Sequence, residues 1–326
     1  MIIVTGGAGF IGSNILAALE DRGEERLVAV DNREADLANI SKRKLSHFLL
    51  PDELFEFCIK NRNKIKAIVH MGATSSTLVN DASLFFVNNY LYSLKIWEYC
   101  SKFQFPLIYA SSAATYGDGS MGFDDTSNIE SLAKFRPLNL YGRSKHLFDR
   151  KIQHKLAHGH AAPPQWVGLK FFNVYGPNEY HKGNQRSVIA TAFPDAVSGK
   201  PIKLFKSYDA DYSDGQQLRD FVWVGDCVKI VLWLLDNNKV NGIFNVGTGQ
   251  SRSFSDLAES IFIALGMKIN IEYIDMPKEL RSKYQYFTEA QMNRLAHAGY
   301  NHEPTSLIEG VRTYIQKYLI KKDPYR

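Results

Sequence analysis

The sequence predicts an α/β protein, with a doubly wound parallel sheet and a smaller, discontinuous lobe beside it. Three observations carry that expectation. Short apolar runs alternate with segments of helical period, a glycine-rich loop joins the first run to the first helical segment, and the pattern changes after residue 173. Continuous apolar runs suit strands buried on both faces, and strand–helix alternation implies parallel strands joined by right-handed crossovers.

The first run, MIIVTG, leads into GFIGSNILAALEDRG. There Ile11, Ile15, Leu16 and Leu19 share one helical face, and Gly23 suits the stop. RLVAVDN is the second run, KAIVHMGA (66–73) the third, FPLIYASSAATYG (105–117) the fourth and QWVGLKFFNVYG (165–176) the fifth. Polar loops such as DADYSDGQQLRD (209–220) follow. FVWVGDCVKIVLWLL and GIFNVGTGQSRSF then return to the alternation of the first half. The expected organisation is one unit over 1–173, with 221–264 returning to it, and a second lobe from 174–220 and 265–326. The chain shows no internal repeat or low-complexity tract.

The 326 residues are 45% hydrophobic, enough for a large core, and 22% charged without a long single-sign run. A disordered or fibrous chain is excluded on those grounds. The net charge of +5 is mild, and no Lys/Arg block marks a nucleic-acid surface. Cys58, Cys100 and Cys227 lie far apart without CxxC spacing. That argues against zinc and against a disulfide scaffold, and fits a reducing compartment. A strand starting at the first methionine leaves no room for a signal peptide, and no apolar run approaches a membrane span, so the expected location is the cytoplasm.

TGGAGFIG sets Gly6, Gly9 and Gly12 three apart, after a strand and at the start of a helix. A tight turn needs a residue without Cβ, a second glycine lets backbone N–H groups approach a pyrophosphate, and a third allows close packing. The helix N-terminus adds positive potential. Asp31 closes the second run about 20 residues on, as a ribose-binding acid would. The first unit is therefore expected to bind a dinucleotide, as a Rossmann fold does. Asp31 suits the free 2′-hydroxyl of NAD. Arg33, after Asn32, suits the 2′-phosphate of NADP if Asp31 turns aside, so both cofactors stay open here.

Tyr141 and Lys145 in YGRSK are four apart on an expected helix, hence on one face. A lysine beside the ribose and nicotinamide is expected to lower the phenol from about 10. The phenolate then takes a proton from a substrate alcohol as hydride leaves. Ser112, at the end of the fourth run, is placed to hold the same oxygen.

Together Gly6, Gly9, Gly12, Ser112, Tyr141 and Lys145 resemble the extended short-chain dehydrogenase/reductase family, whose members modify nucleotide sugars. HMGATSST (70–77), SSAATYG (111–117), LNLYGRSKHLFD (138–149), FFNVYGPNEYHKG (171–183) and KYQYFT (283–288) are similar to the branch that inverts C6″ of an ADP-linked heptose. The resemblance covers essentially the whole chain. Inversion at an unactivated carbon can proceed by removing hydride, leaving a ketone, and returning it to the other face. Rotation of an exocyclic carbon moves its oxygen, and proton transfer needs heavy atoms about 3 Å apart, so a second acid/base group is needed. The resemblance implies that Lys182 is that group, with Tyr141 the other, Lys145 kept for the cofactor, and His181 a packing or hydrogen-bonding residue. It further implies that Phe10, Ile11, Asp31, Asn32, Met71, Gly72, Ala73, Thr74, Ser75, Asn88 and Val174 line an NADP or NAD molecule. Asn173, Asn184, Thr191, Phe205, Arg219 and Tyr284, with Ser112, would line the ADP-sugar. It also suggests a homo-oligomer, with a pentamer as one form.

The chain departs from the family pattern in several places. The lysines expected after the second strand have no obvious counterparts in 33–51. Asn184 stands where a serine is usual and Thr191 where a histidine is. The segments around 118–136 and 209–217 look longer than usual. Among rivals, a 4,6-dehydratase needs a carboxylate after Ser112, where Ala113, Ala114 and Thr115 stand. A 4-epimerase would lack a counterpart of Lys182. A non-catalytic dinucleotide-binding regulator would not need both Tyr141 and Lys145.

Overall fold

The computed structural model describes residues 1–75, 81–281 and 284–326. Its main sheet is built from β1 (Ile2–Thr5), β2 (Leu27–Val30), β3 (His47–Leu49), β4 (Ala67–His70), β5 (Leu107–Ser112), β6 (Trp166–Phe171) and β11 (Gly242–Val246). These seven strands run parallel in the order β11-β6-β5-β4-β1-β2-β3. Helices α1 (Phe10–Asp21), α2 (Glu53–Lys60), α3 (Ala82–Phe85), α4 (Tyr92–Phe103), α5 (Ile129–Lys134), α6 (Leu140–Ala157) and α8 (Val224–Asp236) accompany them.

Alternation decides the two faces. Ile2 and Val4 of β1 join a core with Ile15, Leu16 and Leu19 of α1 and Val228, Val231 and Leu234 of α8. Ile3 points the other way, into a core with Trp97 of α4, Phe148 of α6 and Leu54 of α2. Full burial of one such side chain is worth about 1.5–3 kcal/mol, which fixes the register of every central strand. Cys58, Cys100 and Cys227 are free and buried within these cores.

Two strand expectations are corrected. The segment 165–176 is not one strand: after β6 the chain changes partner, and β7 (Asn173–Tyr175) pairs in parallel with β10 (Phe221–Trp223). The step occurs where Phe172 N–H bonds to Val246 O and Asn173 N–H bonds to Asp220 O. β3 was unforeseen because it is a three-residue edge strand with two exposed residues, and its apolar run, Phe48–Leu50, is too short to stand out.

The second lobe has its own core. Ile189 of α7 (Val188–Val197), Leu204 of β8 (Ile202–Phe205), Ile261 of α9 (Phe254–Leu265) and Val311 of α12 (Leu307–Tyr314) meet there. β13 (Ile271–Ile274) pairs with β8, and β12 (Arg252–Ser253) pairs antiparallel with β9 (Leu218–Arg219). The short helices α10 (Lys278–Arg281) and α11 (Asn293–His297) complete the chain order. The expected return of 221–264 to the first unit is corrected at its end: α9 buries Leu257, Ala258, Ile261 and Phe262 in the lobe's core.

Candidate active site

A cleft of about 1310 Å³ runs along the C-terminal ends of β1, β2, β4 and β5. Its floor is the loop before α1. Gly6 has φ +65°, and a Cβ there would stand 2.6 Å from Gly72 N. A Cβ on Gly12 would stand 2.1 Å from Gly6 O, so Gly12 packs against the loop itself, not against the strand. The N-cap of α1 is Gly9, with no side chain bonded to the first turn. Those N–H groups therefore face the cleft as an anion site. Phe10 and Ile11 line it beside them.

Asp31 Oδ2 accepts from Ala8 N–H at 2.9 Å, and Oδ1 accepts from Asn32 N–H at 2.9 Å. The carboxylate thus braces the glycine loop, with Asn32 and Arg33 beside it in the cleft wall. Met71, Gly72, Ala73, Thr74 and Ser75 form the next stretch of wall, while residues 76, 77 and 283 of the quoted motifs lie outside the described residues. Asn88 Nδ2 donates to Thr74 Oγ1 at 3.1 Å. Asn89, which no motif marks, accepts from Thr74 N–H at 2.8 Å and donates to Ser144 Oγ at 2.9 Å. It ties that wall to α6 from within a π-helical turn, Phe86–Leu91, a local form frequent at functional sites.

Tyr141, Lys145 and Ser112 also line the cleft. Asn139 caps α6 by accepting from Gly142 N–H at 2.8 Å, which fixes where the helix begins. Burial pushes the Tyr141 phenol up, and the Ser112 side chain works against that. In the folded chain itself Lys145 Nζ donates to Ala110 O at 2.8 Å, and burial dominates the phenol. Burial also pushes Lys145 down to about 8, opposed by the charge of Asp149.

Lys182 enters the cleft from a separate segment, the turn Tyr180–Gln185. Its Nζ stands 5.1 Å from the centre of the Phe10 ring. Burial pushes its ammonium down, and the charge of Glu179 holds it up. Glu179 is fully buried and staples the loop, accepting from Gly176 N–H, Ser187 N–H and Ser187 Oγ–H at 3.3, 2.5 and 2.7 Å. His181 Nδ1 is hydrogen-bonded to Asn39 Nδ2 at 3.1 Å. Val174 and Asn184 complete this side.

Five expected residues stand apart from the cleft wall. Arg219 is buried, with its guanidinium 5.2 Å from the Tyr284 ring and 5.6 Å from Phe254. Phe205 ends β8, Thr191 is exposed on α7, and Asn173 Oδ1 accepts from Thr288 Oγ1–H at 3.4 Å. Asn173 opens β7 at the edge of the first unit, and the other four lie on the lobe. Lys95 and Asp52 line the cleft unforeseen. Lys95 projects from α4 over Phe55, 3.9 Å from the ring centre. Its sequence signal did not differ from that of Lys102, the other cation on this amphipathic helix.

The sequence profile of the NAD dependent epimerase/dehydratase family matches residues 2–247. An ADP-L-glycero-D-manno-heptose-6-epimerase of Fusobacterium nucleatum is 44% identical over 340 residues, covering 100% of both chains. A crystal structure of the Helicobacter pylori ADP-L-glycero-D-manno-heptose-6-epimerase superposes with TM-score 0.78 at 25% identity, covering 97% of this chain and 95% of that one. A Thermus thermophilus UDP-glucose 4-epimerase in complex with NAD superposes with TM-score 0.72 at 25% identity, covering 96% and 97%. The match spans the seven-stranded sheet and the segments that carry the glycine loop, Ser112, Tyr141 and Lys145, and the chain belongs to the NAD dependent epimerase/dehydratase family.

Proposed function

We propose that the protein inverts C6″ of ADP-D-glycero-D-manno-heptose, giving ADP-L-glycero-D-manno-heptose through a transient 6″-ketone. The product would supply heptose for the inner core of lipopolysaccharide. The observation that carries this reading is one cleft lined by a phenol, Tyr141, and an amine, Lys182, from separate segments. The 44% identity to relatives of that name over the full chain supports the substrate. A 4-epimerase reading would have to leave Lys182 without a task.

The residues fit a nicotinamide dinucleotide. The cradle at Gly6 and Gly12 has no room for a Cβ, and the start of α1 is uncapped. Phe10, Ile11, residues 31–33, 71–75, Asn88 and Val174 would hold it, with Lys145 at the ribose. When bound there, the nicotinamide would supply acceptance of hydride from C6″ and its return. Tyr141 then takes or returns the proton of the C6″ oxygen in one orientation of the side arm, steadied by Ser112. Lys182 does so after rotation about C5″–C6″. Proton transfer by such positioned groups contributes typically about 10²–10⁴-fold. Asn173, Asn184, Thr191, Phe205 and Tyr284 would contact the ADP-sugar, and Arg219 would meet its diphosphate as a planar fork.

NADP is the proposed form, because Asp31 is engaged with its own loop while Arg33 stays in the wall. NAD is the alternative, and mass spectrometry of cofactor released on denaturation separates them. A cytoplasmic homo-oligomer, a pentamer by family resemblance, completes the reading. The division we propose is a dinucleotide unit of 1–173 with 221–253 and with α11, whose Leu295 packs in the first core, and a substrate lobe from the rest of 174–220 and 254–326.

The test is NMR of ADP-D-glycero-D-manno-heptose incubated with the enzyme in D₂O. Inversion at C6″ without deuterium there is expected. Deuterium at C6″ would mean carbon–proton exchange instead of hydride return, and no turnover would reject the substrate.

A further inference from the structure

Beneath the cleft, the machinery rests on charges that the proposed reaction does not consume. Tyr141, Lys145 and Asp149 fall at successive turns of one face of α6. Asp149 is fully buried, as is Lys170 on β6. Asp149 accepts from Ser111 Oγ–H at 2.6 Å and from Tyr109 OH at 3.2 Å. Lys170 Nζ stands 3.9 Å from Asp149 Oδ2 and 4.2 Å from the centre of the Tyr116 ring. It donates to Thr115 Oγ1 at 2.7 Å, and Thr115 in turn donates to Ser112 O at 2.7 Å.

We propose that the buried Asp149–Lys170 pair positions the Tyr141–Lys145–Ser112 wall, with Asp149 keeping an ammonium at Lys145 and Lys170 fixing the end of β5 through Thr115. The inference rests on the epimerase reading for its kinetic consequence but not for its electrostatic one. A buried ion pair is poor evidence of stabilisation, since desolvation opposes the attraction. Its retention at this place therefore calls for another role. Lys145 takes its hydrogen bond from neither member of the pair but gives it to Ala110 O, so Asp149 reaches it by charge alone.

The groups that face this cluster come from several elements. Asp149 lies on the same helix as Lys145, Lys170 comes from β6, and His70 comes from β4, where burial holds its imidazole neutral. Asp125, ahead of α5, adds its charge at Lys170, and His146 of α6 feels Lys170 while burial keeps it neutral. Burial pushes both Lys145 and Lys170 down to about 8, and the charge of Asp149 opposes that for each. With the anion gone, Lys145 would surrender its proton more readily still. A lysine neutral at working pH loses its hold on a ribose hydroxyl and on the cofactor's charge.

The test uses the intact protein with ¹³C-methyl-labelled lysines, prepared by reductive methylation, and follows the Lys145 signal, identified by its loss in Lys145→Arg. In Asp149→Asn the titration midpoint of Lys145 is expected to fall by about one pH unit or more, with kcat for the ADP-heptose down about tenfold or more and KM changed less than threefold. An unchanged midpoint would overturn the proposal whatever the substrate proves to be. Should Asp149→Asn not fold, the double variant Asp149→Asn/Lys170→Met removes both charges, a change cores often accept. Full kcat in that variant would show the pair to be structural only. Thr115→Val keeps every charge and cuts the link to Ser112. It should lower kcat while leaving the Lys145 midpoint in place, and wild-type kcat there would overturn the role given to Lys170.

Discussion

The two sides of the cleft that carry Tyr141 and Lys182 are built by opposite means. Tyr141 and Lys145 ride on an 18-residue helix, capped by Asn139 and buried against β5. Lys182 rides on an irregular loop with Gly183 at φ 54° and Asn178 at φ 71°. That loop is held from outside. Asn14 Nδ2 donates to Pro177 O, Asn178 Nδ2 donates to Ser13 Oγ, Tyr180 OH donates to Pro324 O, and Arg326 N–H bonds to Asn178 Oδ1. A helix positions side chains by its own period. A loop of this kind positions one only through partners far away in sequence, so its precision is borrowed from the fold.

The strongest way to break this comparison is to remove each proton group in turn. Lys182→Ala and Tyr141→Phe should each lower C6″ inversion by about 10²–10⁴-fold with unfolding temperature and cofactor content unchanged, as NMR of the epimer ratio reads. A near-wild-type rate for Lys182→Ala would leave the loop without its role.

Next in size is the shared floor. Gly12→Ala puts a Cβ 2.1 Å from a backbone oxygen, which no side-chain rotation relieves. We expect cofactor affinity to fall at least about tenfold, or about 1.4 kcal/mol, by fluorescence titration.

Glu179→Gln sharpens the difference between the walls. It exchanges an anion that accepts three hydrogen bonds for a neutral amide, and bonds to charged groups are worth about 1.5–3 kcal/mol each. The loop should loosen, with kcat down about tenfold and a smaller change in the melting temperature, whereas a change in melting temperature alone would mean that Glu179 serves only the fold.

The smallest effect is in pH. Burial holds Lys145 at about 8, so inversion should decline as pH rises through about 8 and not near the usual lysine value. The same depressed group binds fewer protons folded than unfolded between about 8 and 10.5, so its contribution to stability rises across that window. Activity and thermal stability should therefore part company there. A rate that holds to pH 10 would show that Lys145 is not needed as an ammonium.

Features that repeat along the chain, or that close within one turn of themselves, follow from the order of residues alone. The glycine loop, the strands of two-sided burial and the Tyr141/Lys145 face were legible because period and turn chemistry are local. β3 was not, since a three-residue exposed edge with only Phe48–Leu50 apolar is too short to show a period. It took the folded chain to set Lys182 over Phe10, to brace Ala8 with Asp31, to bring Lys95 into the cleft, and to carry Lys170 to Thr115 behind Ser112. Each of those places a charged side chain by partners tens to hundreds of residues away. No propensity records such a choice, because the desolvation that fixes it exists only once the core has closed.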